Sequence, residues 1–158
     1  MDQTLTLDEA RAILKRAVEK TKEVEWISTY VVVDVGGNVI SMSKVDGAPA
    51  GAAVAARSKA YLAAVTCKKS LPFAQRMDAH PTRFDAYQRL LSRPVFPGPG
   101  AVPIVKNGKV VGGFSSSLSS NTAGMKIRTD GKDLSREDIV TAFALQIPYD
   151  EQHIGYEG

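Results

Sequence analysis

Apolar side chains recur at intervals of three and four residues from Leu7 through Ala10, Ile13, Leu14 and Ala17 to Val18. That spacing predicts an amphipathic helix with one buried stripe, Lys15, Arg16, Glu19 and Lys20 falling on or near the other face. Thr6, followed three residues later by Glu9, supplies a T-x-x-E capping box at its start. The period then changes. Tyr30, Val31, Val32 and Val33 are aromatic or β-branched and suit a buried strand. Gly36-Gly37-Asn38 tolerates positive φ, so Val39 to Lys44 can return antiparallel. A loop carrying Asp46-Gly47-Ala48-Pro49 leads into an alanine-rich helix from roughly Ala50 to Thr66. Its small side chains permit close approach to a sheet or to a neighbouring subunit.

In the second half, Pro81 can open a short helix with Phe84, Tyr87, Leu90 and Leu91 on one buried side. His80, Arg83 and Tyr87 are the polar groups placed to face a pocket, and the segment from Leu71 to Pro94 is expected to set ligand choice. Pro94 to Pro103, rich in proline and glycine, can be neither helix nor regular strand. Gly98 and Gly100 would let a ligand approach main-chain amides there. Strands Val102 to Val105 and Lys109 to Phe114 flank Asn107-Gly108, a strong hairpin signal. Gly112 and Gly113 predict close approach of a backbone or a ligand to the second strand. The polar run Ser115 to Thr122, with Lys126 to Gly131, reads as an insertion at about 115–134, a surface loop or a lid. Ser135 caps a final helix bearing Ile139, Ala142, Phe143 and Leu145, which Pro148 stops. The tail Tyr149 to Gly158 is frayed or docked on a partner. This order of elements predicts an α+β layered domain.

Composition narrows the function. The 158 residues predict one domain spanning 1–158. No run approaches the ~20 apolar residues that span a bilayer, so no membrane partner is expected. The acidic N-terminus lacks a signal-peptide pattern and Cys67 is the only cysteine, which together predict a cytoplasmic location; a mature secreted chain would read the same way. With a formal net charge of +3 and no dense basic stretch, an anionic small molecule is a more natural partner than nucleic acid. No P-loop, dinucleotide fingerprint, H-E-x-x-H or C-x-x-C is present, so no metal site is predicted. A Ser-His-Asp site stays open, since its members need not be adjacent. Lys68 and Lys69 follow Cys67 and would favour its thiolate; the competing reading is a packing residue.

The order V-V-D-x-G-G-N at Val32 to Asn38, D-G-A at Asp46 to Ala48 and K-A-Y-x-A-A from Lys59 resembles the haem-degrading domain family. That family includes GlcG-like proteins, extracellular haem-binding sensors and the C-terminal domain of PduO. Leu5 to Ala10 resembles its opening helix, and Gly100 to Ile104 its G-G-x-P-I loop, with Ala101 in place of a glycine. The resemblance implies a profilin-like α-β-α sandwich with an antiparallel sheet of about five strands. It also implies a homo-oligomer, dimer or larger, with a pocket near the subunit interface, and makes haem a possible cofactor. The PduO-type branch ligates haem through a histidine on the first helix. This chain has none there, so His80, His153 or a weaker oxygen ligand would have to substitute.

Three functions follow as expectations. The first is a small GlcG-like enzyme or carrier for an anionic or hydroxylated metabolite, catalysis itself left open. His80, Asp46, Lys59 and Tyr87 are its candidate acids and bases, and Lys59, Gly98, Gly100, Ala101, Pro103, Ser115, Ser117 and Arg128 its candidate ligand contacts. The alternatives are a haem- or corrinoid-binding protein and a non-catalytic accessory subunit of a catabolic pathway.

Overall fold

The computed structural model describes residues 4–117, 126–129 and 132–147, with the backbone alone for 126–129 and 132–134. The Thr6 capping box opens helix α1 (Leu7–Glu23): the Glu9 N–H donates to Thr6 Oγ1 at 3.2 Å, and the Glu9 carboxylate accepts from the Thr6 N–H at 2.8 Å. Its stripe of Ala10, Ile13, Leu14 and Ala17 is buried. Strands β1 (Thr29–Asp34) and β2 (Val39–Lys44) form the expected hairpin, and helix α2 (Ala50–Thr66) follows. Helices α3 (Ser70–Ala79) and α4 (Pro81–Leu90) lead to strands β3 (Ala101–Lys106) and β4 (Lys109–Ser117). Asn107 and Gly108 turn that hairpin at φ 51° and 74°. Strands β5 (Lys126–Thr129) and β6 (Lys132–Ser135) make a separate hairpin before α5 (Arg136–Leu145).

The main sheet runs β2-β1-β4-β3, antiparallel throughout, so it has four strands where the family resemblance implies about five. Strand β1 explains the three layers. Tyr30 and Val32 point into one cluster with α1 and α5 residues such as Leu14, Ile139 and Val140. Val31 and Val33 point the other way, against Ala56, Ala60 and Ala64 of α2. A strand covered on both faces needs apolar side chains at every position rather than at alternate ones. The result is an α+β domain of the α-β-α kind.

Helix α2 lies unusually close to the sheet. A Cβ added to Gly113 would sit 2.4 Å from the Ala60 carbonyl oxygen, so the glycine predicted to admit a backbone or ligand admits the helix. Ala52, Ala56, Ala60, Ala63 and Ala64 are all buried within the chain. The small-residue face is thus largely taken up by this chain's own core and is not left for a second subunit.

Several expectations about local structure change. Leu90, expected on the buried side of α4, is 84% exposed, and Ala101, expected in the proline- and glycine-rich loop, is the first residue of β3. Helix α3 is additional to the short helix expected from Pro81; its Pro72 stands in the first turn, where the missing N–H costs no helical bond. Ser115, Ser116 and Ser117, read as the start of a surface insertion, are the buried end of strand β4, paired with Val31, Tyr30 and Thr29. Their polarity is absorbed by hydrogen bonds. Ser115 Oγ donates to the Ser116 carbonyl at 3.2 Å, and Ser28 Oγ donates to the Ser117 carbonyl at 2.9 Å. Residues 118–125, the remainder of the serine run, lie outside the described residues, as do His153 and the tail from Pro148.

Candidate functional site

Lys59 sits in the middle of α2 at only 5% exposure. Its ammonium donates to the carbonyls of Pro99 and Ser116, each at 2.7 Å. Ser116 Oγ in turn donates to Glu137 Oε1 at 2.5 Å, on the first turn of α5. Gly100 lies against the same carboxylate with φ 97°, and a Cβ there would fall 1.9 Å from Glu137 Oε1. Burial pushes the Glu137 carboxyl above its usual range, with Lys59 and the Ser116 hydroxyl opposing. Burial likewise pulls the Lys59 ammonium down, with Glu137 opposing. The two charges offset one another in a place where neither would be comfortable alone. The cluster joins α2, β4, α5 and the Pro94 to Gly100 loop. Two of the Lys59 protons are committed to main chain, so it acts here as a tie within the fold.

Other α2 side chains hold that loop as well. Ser58 Oγ donates to the Pro94 carbonyl at 3.1 Å and accepts from the Phe96 N–H at 2.6 Å. Arg93 donates to the Gly37 carbonyl at 2.7 Å and lies over the Tyr61 ring, 5.5 Å from its centroid. Gly98 packs under the Phe96 ring, and both Gly98 and Gly100 are buried. The backbone that the sequence would offer to a ligand is therefore turned inward.

The remaining candidates scatter. Asp46 is exposed in the turn after β2, and His80 is exposed where α3 meets α4. Among the described residues no hydrogen bond or ion pair joins either side chain to Lys59. Ala101 is buried and donates its N–H to Ser70 Oγ at 3.0 Å, fixing α3 to β3. Arg128 belongs to β5, opposite Asp133.

Tyr87 and Pro103 do come together, in a cleft of about 650 Å³ between the end of α2, α3, α4 and β3. Pro72, Phe73, Met77, Tyr87 and Pro103 supply its apolar lining; Cys67, Lys68, Lys69, Arg76 and Arg83 its polar one. The wall is rigid for a reason. Phe73 packs on Tyr87 at 5.3 Å and on Phe84 at 6.4 Å, over the buried Leu62 and Val95. Among the described residues, the side chains of Lys68, Arg76 and Arg83 form no ion pair or hydrogen bond. Three uncompensated cations around an apolar, aromatic cleft of this size suit a flat anion with a large apolar body.

Sequence reasoning reached Arg83 and Tyr87 through the pocket-facing side of α4, but it missed Phe73, Met77 and Arg76 together with α3. The spacing of Phe73, Ala74 and Met77 carried the signal. It missed Glu137 for another reason: an acid in the first turn of a capped helix reads as a partner of the helix dipole.

Fold and cleft together define an α+β domain of the α-β-α kind with an aromatic cleft lined by cations. A family model described as "Haem degrading protein HbpS-like" matches residues 5–123, more than half of the chain, and the protein belongs to that family. Solved structures share the fold. The Klebsiella pneumoniae protein ORFY, of family DUF336, aligns with a TM-score of 0.71 at 19% identity, covering 92% of this chain and 91% of that one. A double mutant of Streptomyces reticuli HbpS aligns at 0.67 and 22% identity over 91% and 84%. A PduOC:heme complex aligns at 0.70 and 15% identity over 90% and 94%. No curated protein matches by sequence.

The residues of the cleft fit haem. Its lining pairs apolar surface for a macrocycle with cations for carboxylates, and it holds sulfur and oxygen donors in Cys67, Met77 and Tyr87. Helix α1 offers no histidine, so histidine ligation from that helix has no basis in this chain.

Proposed function

We propose that this protein binds an anionic tetrapyrrole, haem in the first instance, in the cleft between α3, α4 and the end of α2. The observation that carries the reading is the set of uncompensated cations, Lys68, Arg76 and Arg83, on a wall built from Phe73, Tyr87 and Pro103. The family description and the haem named for a structural neighbour support it. Bound haem would supply an iron centre. The chain's own residues do the rest: the aromatic wall takes the macrocycle out of water, and the cations hold its carboxylates at the rim. A metabolite site at Lys59 has less support, since that ammonium is buried and already bonded to two carbonyls.

Titration with haemin should give a saturable shift of the Soret band at one equivalent. Replacing Arg76 and Arg83 together by alanine should weaken binding by roughly ten- to a hundredfold, from two charge-assisted contacts partly screened by solvent. No Soret shift at near-equimolar protein, or equal affinity in the double variant, would remove the proposal.

A further inference from the structure

Resting on the haem reading of the cleft, we propose that Tyr87 is the protein's ligand to the iron, bound through its phenolate oxygen. Three lining side chains carry a donor atom: Cys67, Met77 and Tyr87. Met77 lines the cleft but is only 5% exposed, so little of its side chain is open to a ligand. Cys67 is exposed at the mouth, its Sγ lying 3.6 Å from the Ala64 carbonyl. Tyr87 is half-buried in the wall itself, its ring positioned by Phe73.

A partly buried tyrosine ordinarily finds a partner for its hydroxyl. The other two tyrosines among the described residues do: Tyr30 bonds Thr21, and Tyr61 bonds Ser92 at 3.2 Å. Among the described residues the Tyr87 hydroxyl has none, so ligation would cost no existing bond. Ferric iron is a hard cation suited to an anionic oxygen. Ligation by Tyr87 would form an O–Fe bond in place of the water or chloride on the iron of free haemin and release the phenolic proton to solvent, with no change of oxidation state.

The test compares ferric haemin complexes of the wild type, Tyr87→Phe, Tyr87→His and Cys67→Ser by absorption and resonance Raman spectroscopy, with circular dichroism to establish folding. The wild type should show an iron–phenolate stretching band, and Cys67→Ser should keep it. Tyr87→Phe should lose it while retaining haemin within about tenfold, because the ring still packs on Phe73. If Tyr87→Phe folds but loses haemin altogether, Tyr87→His should restore binding with an imidazole-ligated spectrum; failure to do so would overturn the assignment. A Tyr87→Phe spectrum identical to wild type, or loss of the band in Cys67→Ser alone, would also overturn it while leaving the haem site standing. If the wild type takes up no haemin, both readings fall.

Discussion

Lys59 illustrates how little a residue's identity says about its use. A lysine interrupting a run of alanines reads from sequence as a ligand contact or as a catalytic acid or base. Neither reading anticipates an ammonium at 5% exposure bonded to two carbonyls. Periodicity could not show this, because the partners are 40 and 57 residues away and both are main-chain atoms. The expected effect of Lys59→Ala therefore falls on folding. Loss of two charge-assisted hydrogen bonds at about 1.5 to 3 kcal/mol each should cost about 3 kcal/mol or more, with Glu137 left without its neighbour. Denaturant midpoints measure this, and a change below about 1 kcal/mol would mean the ties contribute little. Gly100 follows the same logic: its positive φ is occupied by the need to clear Glu137.

Among the elements, those whose signals are local were legible. The α1 cap, both main-sheet hairpins and the extent of α2 follow from residues within a few positions of one another. The elements misread, α3 and the end of β4, are those where tertiary context overrides composition: a proline tolerated in a first turn, and serines buried in a strand with neighbours on both sides. One tie between elements is sensitive to pH. Lys106 on β3 donates to Glu9 on α1 at 2.5 Å and, with the Thr6 N–H, holds the Glu9 carboxyl down to about 2 from its usual 4.5. A carboxyl held low contributes stability that is fully present above about pH 4.5 and is lost as pH falls through about 2. Thermal melts of wild type and Lys106→Ala should thus differ near neutral pH and converge as the pH is lowered across that window. A gap independent of pH would show that the difference comes from something other than this pair.

At the scale of the molecule, the layered fold and the family were readable because motif order and spacing survive where individual residues do not. The cleft was readable only on its α4 side, since its other wall belongs to the helix the sequence concealed. Among the described residues no helix is long and apolar enough to cross a membrane. A homo-oligomer, implied by the family resemblance, remains our proposal on a different surface from the one expected, because the α2 alanines are spent within the chain. Exposed Val54 and Val65 on α2, with Phe96 beside it, leave apolar area for such a contact. Light scattering should give a multiple of 17.0 kDa, and a monomer at micromolar concentration would end the proposal.

The Arg93 to Gly100 segment has a consequence of its own. It has no regular secondary structure, yet Ser58, Lys59, Tyr61 and Gly37 each grip it from about 30 to 60 residues earlier in the chain. Opening of this segment is therefore expected to be coupled to α2, and its amide hydrogens should exchange with the slow core rather than with surface loops.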